Sequence, residues 1–407
     1  MTSRSFAMVT TFYPPESFGG DGLYVERLAK ALVRRGHRVT VVACRDAYRI
    51  CGGASSAPPL LRSSAPPLGV EVVRLESPAG PLSPLATQMT GRPFFKRRAL
   101  ERVLAPGRFD AVHFHNISLV GGPGVLALAP GAVKLYTLHE HWLLCPTHVF
   151  WKEKRKLCDR KTCFSCQVLS DRPPQLWRYG PFLRDSLGNV DLFLSPSRFT
   201  MERHRAEGLD FPMRVLPLFV PEASARSPVP ERPVFLYAGR LDRSKGPDAL
   251  VAAAAGLNAE IRIAGDGPRR HQLEEEARRT TNVRILGPLT PERVGEEMAG
   301  ARAVVAPSRC LETFGFAAAE AMMRGVPVVA RRRGGLGEIV EESGGGLLFE
   351  EDSELPALLA RLASDPELAA ELGARGRDAA TRLWLEERHL SEYLALVESL
   401  LERRKSA

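Results

Sequence analysis

Two carboxylates in the last third of the sequence are the residues most suggestive of chemistry. Glu312 and Glu320 lie eight positions apart, in a stretch where apolar runs alternate with polar residues. Residues 303–306 predict the end of a buried strand, 307–314 a crossing loop and 315–324 a helix. The first N–H groups of a helix have no partner within the helix and can bind an anion. The stretch therefore predicts an anion site with one carboxylate in the loop and the other on the helix.

The placement of these two acids argues against glycoside hydrolysis. A glycosidase needs two carboxyl groups that flank one scissile bond. Glu312 in a loop and Glu320 on the following helix cannot easily do so, and we expect them to have separate tasks. The alternative for Glu320 is a purely structural role, since an acid near a helix start also complements the helix dipole.

A second segment, GRLDRSKG at 239–246, follows the apolar run 234–238 and carries two cations. Arg240 and Lys245 could stabilise the negative charge that grows on a diphosphate leaving group. Arg can donate to two oxygens at once and Lys supplies a compact charge, so the pair could replace a divalent metal there. We therefore predict that a reaction at this site needs no cofactor. The alternative is a solvated basic turn.

The two segments together resemble the retaining family 4 glycosyltransferases of GT-B fold. The resemblance is carried by E-x7-E with FG after the first acid, by EAM-x2-G-x-PVVA, and by GRL-x3-KG. It implies transfer of a sugar from a nucleoside diphosphate to an acceptor hydroxyl with retention of the anomeric configuration. It also implies that Glu320 binds the ribose hydroxyls and Glu312 the transferred sugar. The amides of Phe314 and Gly315 would bind sugar and phosphate oxygens.

Glycines at the ends of predicted strands complete the donor pocket that the resemblance implies. Glycine permits tight turns and close approach of the backbone to a flat base. The first loop, YPPESFGG, is similar to the family's opening loop beside donor phosphate or acceptor. The predicted donor-binding glycines are Gly19, Gly20, Gly239, Gly265, Gly267, Gly287 and Gly315. Because main-chain groups would bind the base, its identity stays open.

The histidine-rich strand ends of the first half supply one further catalytic candidate. By resemblance His139 contacts the transferred sugar, where its carbonyl or ring would stabilise positive charge at the anomeric carbon. His113 and His115 are better explained as satisfied polar groups at the edge of a sheet. No GxGxxG motif occurs, which argues against a nicotinamide-dependent dehydrogenase.

Four cysteines follow His139 in the order C-x12-C-x4-C-x2-C. Cys145, Cys158, Cys163 and Cys166 could close a structural zinc site of four thiolates. Only the C-x2-C part has compact ligand spacing, and His141 or His148 could replace one ligand. Reduced thiols on a loop are the equally open alternative.

Alternating strand and helix signals occur twice, which predicts an α/β protein with two doubly wound Rossmann-like domains facing each other across a crevice. Residues 45–69 are rich in Ala, Ser, Pro and Gly and predict a loop. The ranges we predict are an acceptor domain at 1–220 with a Cys-containing insert at 140–175, a linker at 221–233, a donor domain at 234–383, and a final helix at 384–407 that packs back on the first domain.

Charge is distributed unevenly between the two halves. Residues 1–220 hold 30 Lys and Arg against 17 Asp and Glu, whereas 221–407 hold 26 against 30. The basic half predicts an anionic partner, either a lipid headgroup, a lipid pyrophosphate or an acidic glycan, and solubility alone is the other interpretation. Phe94–Phe95–Lys96–Arg97–Arg98 and residues 151–156 mix aromatic and basic residues, as peripheral membrane segments do. No nucleic-acid partner is predicted.

The sequence begins with a strand and a Pro turn and contains no secretion signal, so we expect a cytoplasmic protein, or one peripheral at the inner face of the cell membrane. The expected function is a glycosyltransferase acting on a lipid-linked or cell-envelope glycan. Two alternatives remain open. One is a nucleotide-sugar epimerase or hydrolase on the same fold, and the other is a non-catalytic subunit that binds sugar nucleotides.

Overall fold

Two parallel sheets form the framework of the protein. The computed structural model describes residues 2–52, 69–224 and 232–406. Each sheet is built from strands that alternate with helices along the chain, and the strands that pair within each sheet are parallel. The predicted pair of doubly wound α/β domains is therefore confirmed.

The first sheet has seven strands in the order β3-β2-β1-β4-β5-β8-β9. Its central strands are almost entirely apolar and buried on both faces, as parallel strands covered by helices must be. The strands are β1 (Ser5–Val9), β2 (Arg38–Cys44), β3 (Val70–Leu75), β4 (Ala111–Phe114), β5 (Val133–Thr137), β8 (Leu192–Ser195) and β9 (Met213–Val215), while β6 (Trp151–Lys152) and β7 (Lys156–Leu157) form a separate antiparallel hairpin.

The second sheet has six strands in the order β12-β11-β10-β13-β14-β15. They are β10 (Val234–Ala238), β11 (Glu260–Ala264), β12 (Val283–Gly287), β13 (Ala303–Ala306), β14 (Val328–Arg331) and β15 (Gly346–Phe349). In both sheets the strand order reverses beside the first strand of the domain. Open parallel sheets bind their ligands outside the carboxyl ends of the strands at such a point.

Helices cover both faces of each sheet. In the first domain they are α1 (Gly20–Arg34), α2 (Arg45–Gly52), α3 (Leu82–Thr90), α4 (Arg97–Val103), α5 (Cys163–Leu169), α6 (Phe182–Leu187) and α7 (Arg198–Ala206). The later helices are α8 (Pro247–Ala252), α9 (Arg270–Ala277), α10 (Pro291–Ala299), α11 (Phe316–Met323), α12 (Gly334–Ser343), α13 (Leu355–Ser364), α14 (Pro366–Leu383) and α15 (Glu386–Ser406). Among the described residues, no helix has the combination of length and apolar composition that crossing a bilayer requires.

One hydrophobic core joins the two domains. It contains side chains from β1 and α1 of the first domain and from β13 and α11 of the second. Trp384 and Tyr393, both almost fully buried, belong to the same core. Helix α15 therefore lies against the first domain, and ion pairs from its surface to Arg4 and Asp191 hold it there.

Two sequence predictions were wrong in detail. Residues 45–52 of the predicted loop form α2, whose buried Asp46 accepts a hydrogen bond from the Ser77 N–H at 2.9 Å. This long-range contact compensates for a weak helix signal, and the rest of that loop, 53–68, lies outside the described residues. Strand β15 was not predicted, because its short apolar run follows three glycines. Part of the linker, 225–231, is also outside the described residues.

A cluster of buried histidines lies where the two domains and α15 meet. The His113 Nε2 is 2.8 Å from the Thr137 hydroxyl, and the His389 Nδ1–H donates to the Pro217 carbonyl at 2.8 Å. Burial lowers the pKa of His389 to about 4 and that of His139 to about 3. The pKa of His113 is also lowered by burial and by the neighbouring histidines. The folded protein therefore holds this cluster neutral.

We expect acid to destabilise the fold below about pH 6.5, the pKa of histidine in an unfolded chain. Because the folded pKa values are lower, the unfolded chain binds more protons in this range and stability falls as the pH falls. Between pH 6.5 and pH 5, each of His139 and His389 should remove about 2 kcal/mol from the free energy of unfolding. Urea unfolding at several pH values measures this loss.

The control compares two substitutions. His389→Asn removes a buried imidazole and should flatten the pH dependence, whereas His271→Gln changes a side chain that is 85% exposed and should not. Equal pH dependence in both variants would contradict the assignment.

Candidate active site

An ion pair between two loops of the second domain forms the centre of the candidate site. The Lys245 Nζ lies 2.5 Å from Glu312 Oε1, and the Ser308 hydroxyl donates to the same oxygen at 2.6 Å. Lys245 follows β10 and Glu312 follows β13, and these strands are neighbours in the sheet. Parallel pairing therefore brings together two residues that are 67 positions apart in the sequence.

The charges of this pair stabilise each other. Burial alone would raise the pKa of Glu312, but the Lys245 ammonium and the hydrogen bonds from Lys245 and Ser308 outweigh it and hold that pKa below its usual value. Burial would likewise lower the pKa of Lys245, and the Glu312 carboxylate reverses the direction, so that its pKa is raised. Both groups are consequently ionised at neutral pH.

The loop after β10 has a defined shape. The Asp242 carboxylate accepts from the backbone N–H groups of Ser244 at 2.9 Å and Lys245 at 3.1 Å, which closes an Asx-type turn. Gly246 has a φ of +68°, and a Cβ there would lie 2.5 Å from the Pro307 carbonyl oxygen. Only glycine fits this position without a shift of one of the two loops. Lys245 is therefore held at the end of the strand.

Arg240 lies on the same loop but outside the ion pair. Its side chain is 56% exposed, and its Nε is 3.2 Å from Asp242 Oδ2. The loop thus supplies one cation bound to Glu312 and a second one facing solvent.

Glu320 has a partner in the other domain. Its Oε1 accepts from Arg27 of α1 at 2.7 Å. Helix α11, which carries Glu320, begins after Gly315, whose φ of +113° is unfavourable for other residues. Phe314, the residue before it, is buried against Trp384. The two acids therefore have separate basic partners in this structure.

His139 lies at the contact between the domains. Its backbone carbonyl accepts from the Thr313 hydroxyl at 2.8 Å, and its Nε2 is 2.9 Å from the His115 Nδ1. The His139 Nδ1 is buried and has no hydrogen-bond partner in the described part of the chain. His115 lies just beyond β4, which is a central strand and not an edge strand of the sheet. Burial and the neighbouring histidines lower the pKa of His115.

The glycines at the strand ends allow neighbouring loops to pack closely together. A Cβ at Gly265 would lie 1.9 Å from the Gly239 carbonyl oxygen, and one at Gly267 would lie 2.5 Å from the Leu241 carbonyl oxygen. The Gly265 N–H donates to the Gly287 carbonyl at 2.8 Å, so the loops after β10, β11 and β12 form one layer. The glycine pattern is thus explained by backbone contacts within the protein.

The two glycines of the first loop stand at the start of α1. Gly19 is the residue before the helix, with extended backbone, and Gly20 is its first residue. A Cβ at Gly20 would lie 2.7 Å from the Phe316 ring of α11. The starts of α1 and α11 therefore touch each other across the domain boundary.

Several residues at this boundary have no counterpart in the sequence predictions. Asp21, the second residue of α1, is 3.3 Å from the Asn116 Nδ2, and burial together with the charge of Glu140 raises its pKa to about 6. Its position directly after the two glycines was the only signal. Ser197 donates to the Thr313 carbonyl at 2.8 Å and joins the loop after β8 to the loop after β13.

Glu338 of α12 connects the second domain to the first. Its carboxylate accepts from the backbone N–H groups of Arg198 at 2.8 Å and Phe199 at 2.6 Å. It therefore caps the start of α7 from the other domain, which favours the closed arrangement seen here.

The four cysteines of the insert line one small cavity. Cys145, Cys158, Cys163 and Cys166 surround a space of about 10 Å³, enough for one water-sized atom. The Cys166 sulfur accepts from the Glu153 N–H at 3.3 Å. Burial and the neighbouring cysteines raise the pKa of Cys158, which favours neutral thiols when no cation is bound. Within the described residues, no three Cys, His, Asp or Glu side chains are already grouped closely enough to hold a metal ion.

Comparisons with known proteins agree with this arrangement. The family model described as "Glycosyl transferase 4-like domain" matches residues 19–218, and that described as "Glycosyl transferases group 1" matches residues 221–379. A D-inositol 3-phosphate glycosyltransferase of Xylanimonas cellulosilytica is 29% identical over 402 residues, which cover 91% of this chain and 89% of the relative. The alpha-D-kanosaminyltransferase of Streptomyces kanamyceticus is 32% identical over 157 residues, or 36% of this chain and 40% of the relative.

Solved structures share the fold over nearly the whole chain. The sucrose-phosphate synthase of Thermosynechococcus elongatus has a TM-score of 0.74 at 20% identity and covers 98% of this chain and 100% of its own. Anabaena HepE in complex with UDP has a TM-score of 0.67 at 17% identity, with coverage of 97% and 100%. The chain belongs to the glycosyltransferases of GT-B fold.

We propose that the four cysteines close around one zinc ion, because the small cavity that they line brings four potential thiolate ligands to one place. Elemental analysis of pure protein should find about one zinc per chain. In the variant Cys163→Ser with Cys166→Ser the metal should be lost and the thermal midpoint lowered. Cys51→Ser, a change at an exposed cysteine outside the insert, is the matched control and should keep the metal. Wild-type protein free of zinc after expression in zinc-supplemented medium would contradict this prediction.

Proposed function

We propose that this GT-B glycosyltransferase transfers a sugar from a nucleoside diphosphate to an acceptor hydroxyl with retention of the anomeric configuration. The observation that carries the proposal is the Lys245–Glu312 ion pair at the domain boundary, beside the start of α11. A cation, a carboxylate and free helix N–H groups at one place match the needs of a diphosphate attached to a sugar.

In this proposal the cations act on the leaving group. Cleavage of the bond between sugar and phosphate leaves growing negative charge on the diphosphate. Lys245 and the exposed Arg240 would stabilise that charge more strongly in the transition state than in the ground state. The N–H groups at the start of α11 would also stabilise this charge. Glu312 would hold Lys245 in place and would itself contact the sugar.

The proton of the acceptor would be removed by the leaving phosphate. In a retaining transfer without a covalent intermediate, the acceptor attacks on the side from which the phosphate departs. The sugar carries positive charge at that moment, and a protonated histidine beside it would oppose the reaction. Burial lowers the pKa of His139 to about 3, so its ring is neutral and compatible with that charge.

Binding of the donor would also change the domain boundary. Glu320 is the proposed ribose ligand, and in this structure it accepts from Arg27 at 2.7 Å. Ribose hydroxyls would replace or share this partner. The domains would therefore open to admit the donor and close over it, which excludes water from the reacting centre.

The comparisons suggest which donors and acceptors to test first. HepE was crystallised with UDP, and the relative from Xylanimonas is named for an inositol phosphate acceptor. We therefore propose a UDP-sugar as the first donor to examine. The basic first domain favours an anionic acceptor, and a lipid-linked or cell-envelope glycan is our proposed class.

The rival function is epimerisation or hydrolysis of a nucleotide sugar on the same fold. These reactions would use the same donor pocket but require an acid and a base that act on the sugar or on water. Asp21, whose pKa burial raises to about 6, is the residue near the boundary that favours this rival. The identity of the product separates the two functions.

Substitution of Lys245 by Ala should lower kcat/KM by about 10²–10³-fold, as the loss of one preorganised transition-state contact commonly does. Arg243→Ala removes an exposed cation from the same turn and should keep the wild-type rate. Because loss of Lys245 leaves Glu312 without its charged partner, thermal unfolding of each variant must accompany the kinetics. A folded K245A variant with near-normal kcat/KM would reject the assignment.

Radiolabelled UDP-, GDP- and ADP-sugars with a lipid or glycan extract should yield a labelled product from one donor. NMR of that product should show the anomeric configuration of the donor. A product of inverted configuration would exclude the retaining mechanism. Free sugar or an epimerised nucleotide sugar as the only product would favour the rival function.

Glu320→Gln should lower kcat/KM for the donor, because it removes the negative charge that accepts from the ribose hydroxyls.

A further inference from the structure

Large hydrophobic side chains that remain exposed are concentrated in two segments of the first domain. Twelve such side chains occur in the described part of the chain, and ten of them lie within residues 82–95 and 164–179. We call these ten the apolar face: Leu82, Leu85, Met89, Phe94, Phe95, Phe164, Val168, Leu169, Leu176 and Tyr179. Exposed apolar patches of this kind usually mark a binding surface.

Hydrogen bonds beneath the apolar face join its parts into one surface. The Gln175 side chain donates to the Gln88 side chain of α3 at 2.7 Å, and the Gln175 N–H donates to the Gln167 side chain of α5 at 2.9 Å. The Trp177 indole N–H donates to the Gln88 carbonyl at 2.9 Å. Gln167 and Gln175 are fully buried, so these contacts hold α3, α5 and the turn Leu176–Tyr179 together.

Helix α5 shows that the exposure follows from how the helix is held. Cys166 and Gln167 are buried on its inner side, where Cys163 and Cys166 line the cysteine cavity. Phe164, Val168 and Leu169 lie on its outer side and are more than half exposed. The contacts of the inner side therefore fix the apolar residues toward solvent.

The segments that carry this face are rich in cations. Residues 82–98 and 151–184 contain thirteen Lys or Arg and three Asp or Glu, a net charge of +10, whereas the whole chain carries +9. Ten of the thirteen, among them Arg98 and Arg155, are exposed. Exposed apolar side chains and exposed cations on the same segments match the interface of an anionic bilayer, where apolar side chains enter the headgroup region and cations remain beside phosphates.

We propose that the apolar face docks this protein on an anionic lipid bilayer. A second copy of the chain is a poorer occupant, because a two-fold contact would place two strongly basic surfaces against each other. An acidic protein partner is an outcome that the experiment must separate. The proposal does not depend on the reaction, since binding to lipid requires neither donor nor acceptor.

The apolar face is connected to the candidate active site. The Trp142 and Trp177 rings pack with their centroids 5.8 Å apart, and Arg178 donates to the Trp142 carbonyl at 2.7 Å. Trp142 is the third residue after His139 in the sequence. A bilayer bound at this face would therefore bring an acceptor anchored in the membrane to the side of the site where the acceptor is expected.

Flotation of the full chain with vesicles tests the proposal. Vesicles of phosphatidylglycerol and phosphatidylcholine should carry the protein upward, whereas vesicles of phosphatidylcholine alone should not. Phe94→Ser with Leu176→Ser should abolish flotation, because both side chains are 63% exposed and supply apolar contact. Ile50→Ser, at a side chain 43% exposed on α2 outside the apolar face, is the matched control and should float like wild type.

The charge requirement has its own pair of variants. Arg98→Gln with Arg155→Gln should lower the partition coefficient of the protein onto the anionic vesicles by about fivefold for each cation removed. Added salt should also lower this coefficient. Arg361→Gln with Arg382→Gln changes two exposed cations of the second domain and should have no effect.

Three results would overturn the proposal. The first is no flotation with either vesicle. The second is flotation that is equal on both vesicles and insensitive to the arginine variants. The third is a doubled mass in light scattering that returns to the monomer mass in the variant Phe94→Ser with Leu176→Ser. The last would identify the face as a contact between copies. If the first result is found, capture of an acidic protein by the apolar face would identify that face as a protein interface. Thermal unfolding like that of wild type must show that each variant is folded.

Discussion

The candidate site exists because two parallel sheets turn the carboxyl ends of their strands toward each other. In each domain, strands far apart in sequence become neighbours, and the loops after them meet at one edge. The Lys245–Glu312 ion pair is the direct result within the second domain, and the bond from Thr313 to the His139 carbonyl is the result between domains. A charged pair partly removed from water is costly unless its remaining atoms have hydrogen-bond partners, as Ser308 provides here for Glu312. A diphosphate bound beside this pair would interact with the Lys245 ammonium through its own negative charge.

Much of the fold could be predicted from the sequence because parallel strands buried on both faces appear as short apolar runs between turn residues. Lys245 and Glu312 were both predicted to follow such runs, but the ion pair between them was not predicted. Features that depend on distant contacts could not be predicted. Helix α2 depends on a bond from Ser77 to Asp46, and Glu338 caps a helix of the other domain. No local pattern encodes a partner that is about 140 positions away.

The glycines show how a correct location can have more than one cause. They were expected at strand ends because a nucleotide must approach the backbone there, and they do stand there. The structure supplies a reason within the protein, because a Cβ at Gly265 would overlap the Gly239 carbonyl. The two explanations are compatible, since loops that pack this tightly present a rigid backbone to any ligand. A preorganised site requires such rigidity, because loops that reorganise during the reaction would lose part of the electrostatic stabilisation. Packing and binding therefore place the same demand on these positions.

The cysteine insert connects the interior of the first domain to its surface. Helix α5 is only seven residues long, too short to be stable by its own backbone bonds, and its position depends on what its inner side contacts. That side consists of Gln167, with its bonds to the turn before Leu176, and of two cysteines at the shared cavity. A metal in the cavity would fix the helix, and fixing the helix would hold Phe164, Val168 and Leu169 outward. The apolar residues gain nothing in the folded monomer from this exposure, because each would be more stable buried. An anionic bilayer that covers them, as proposed above, would remove these side chains from water.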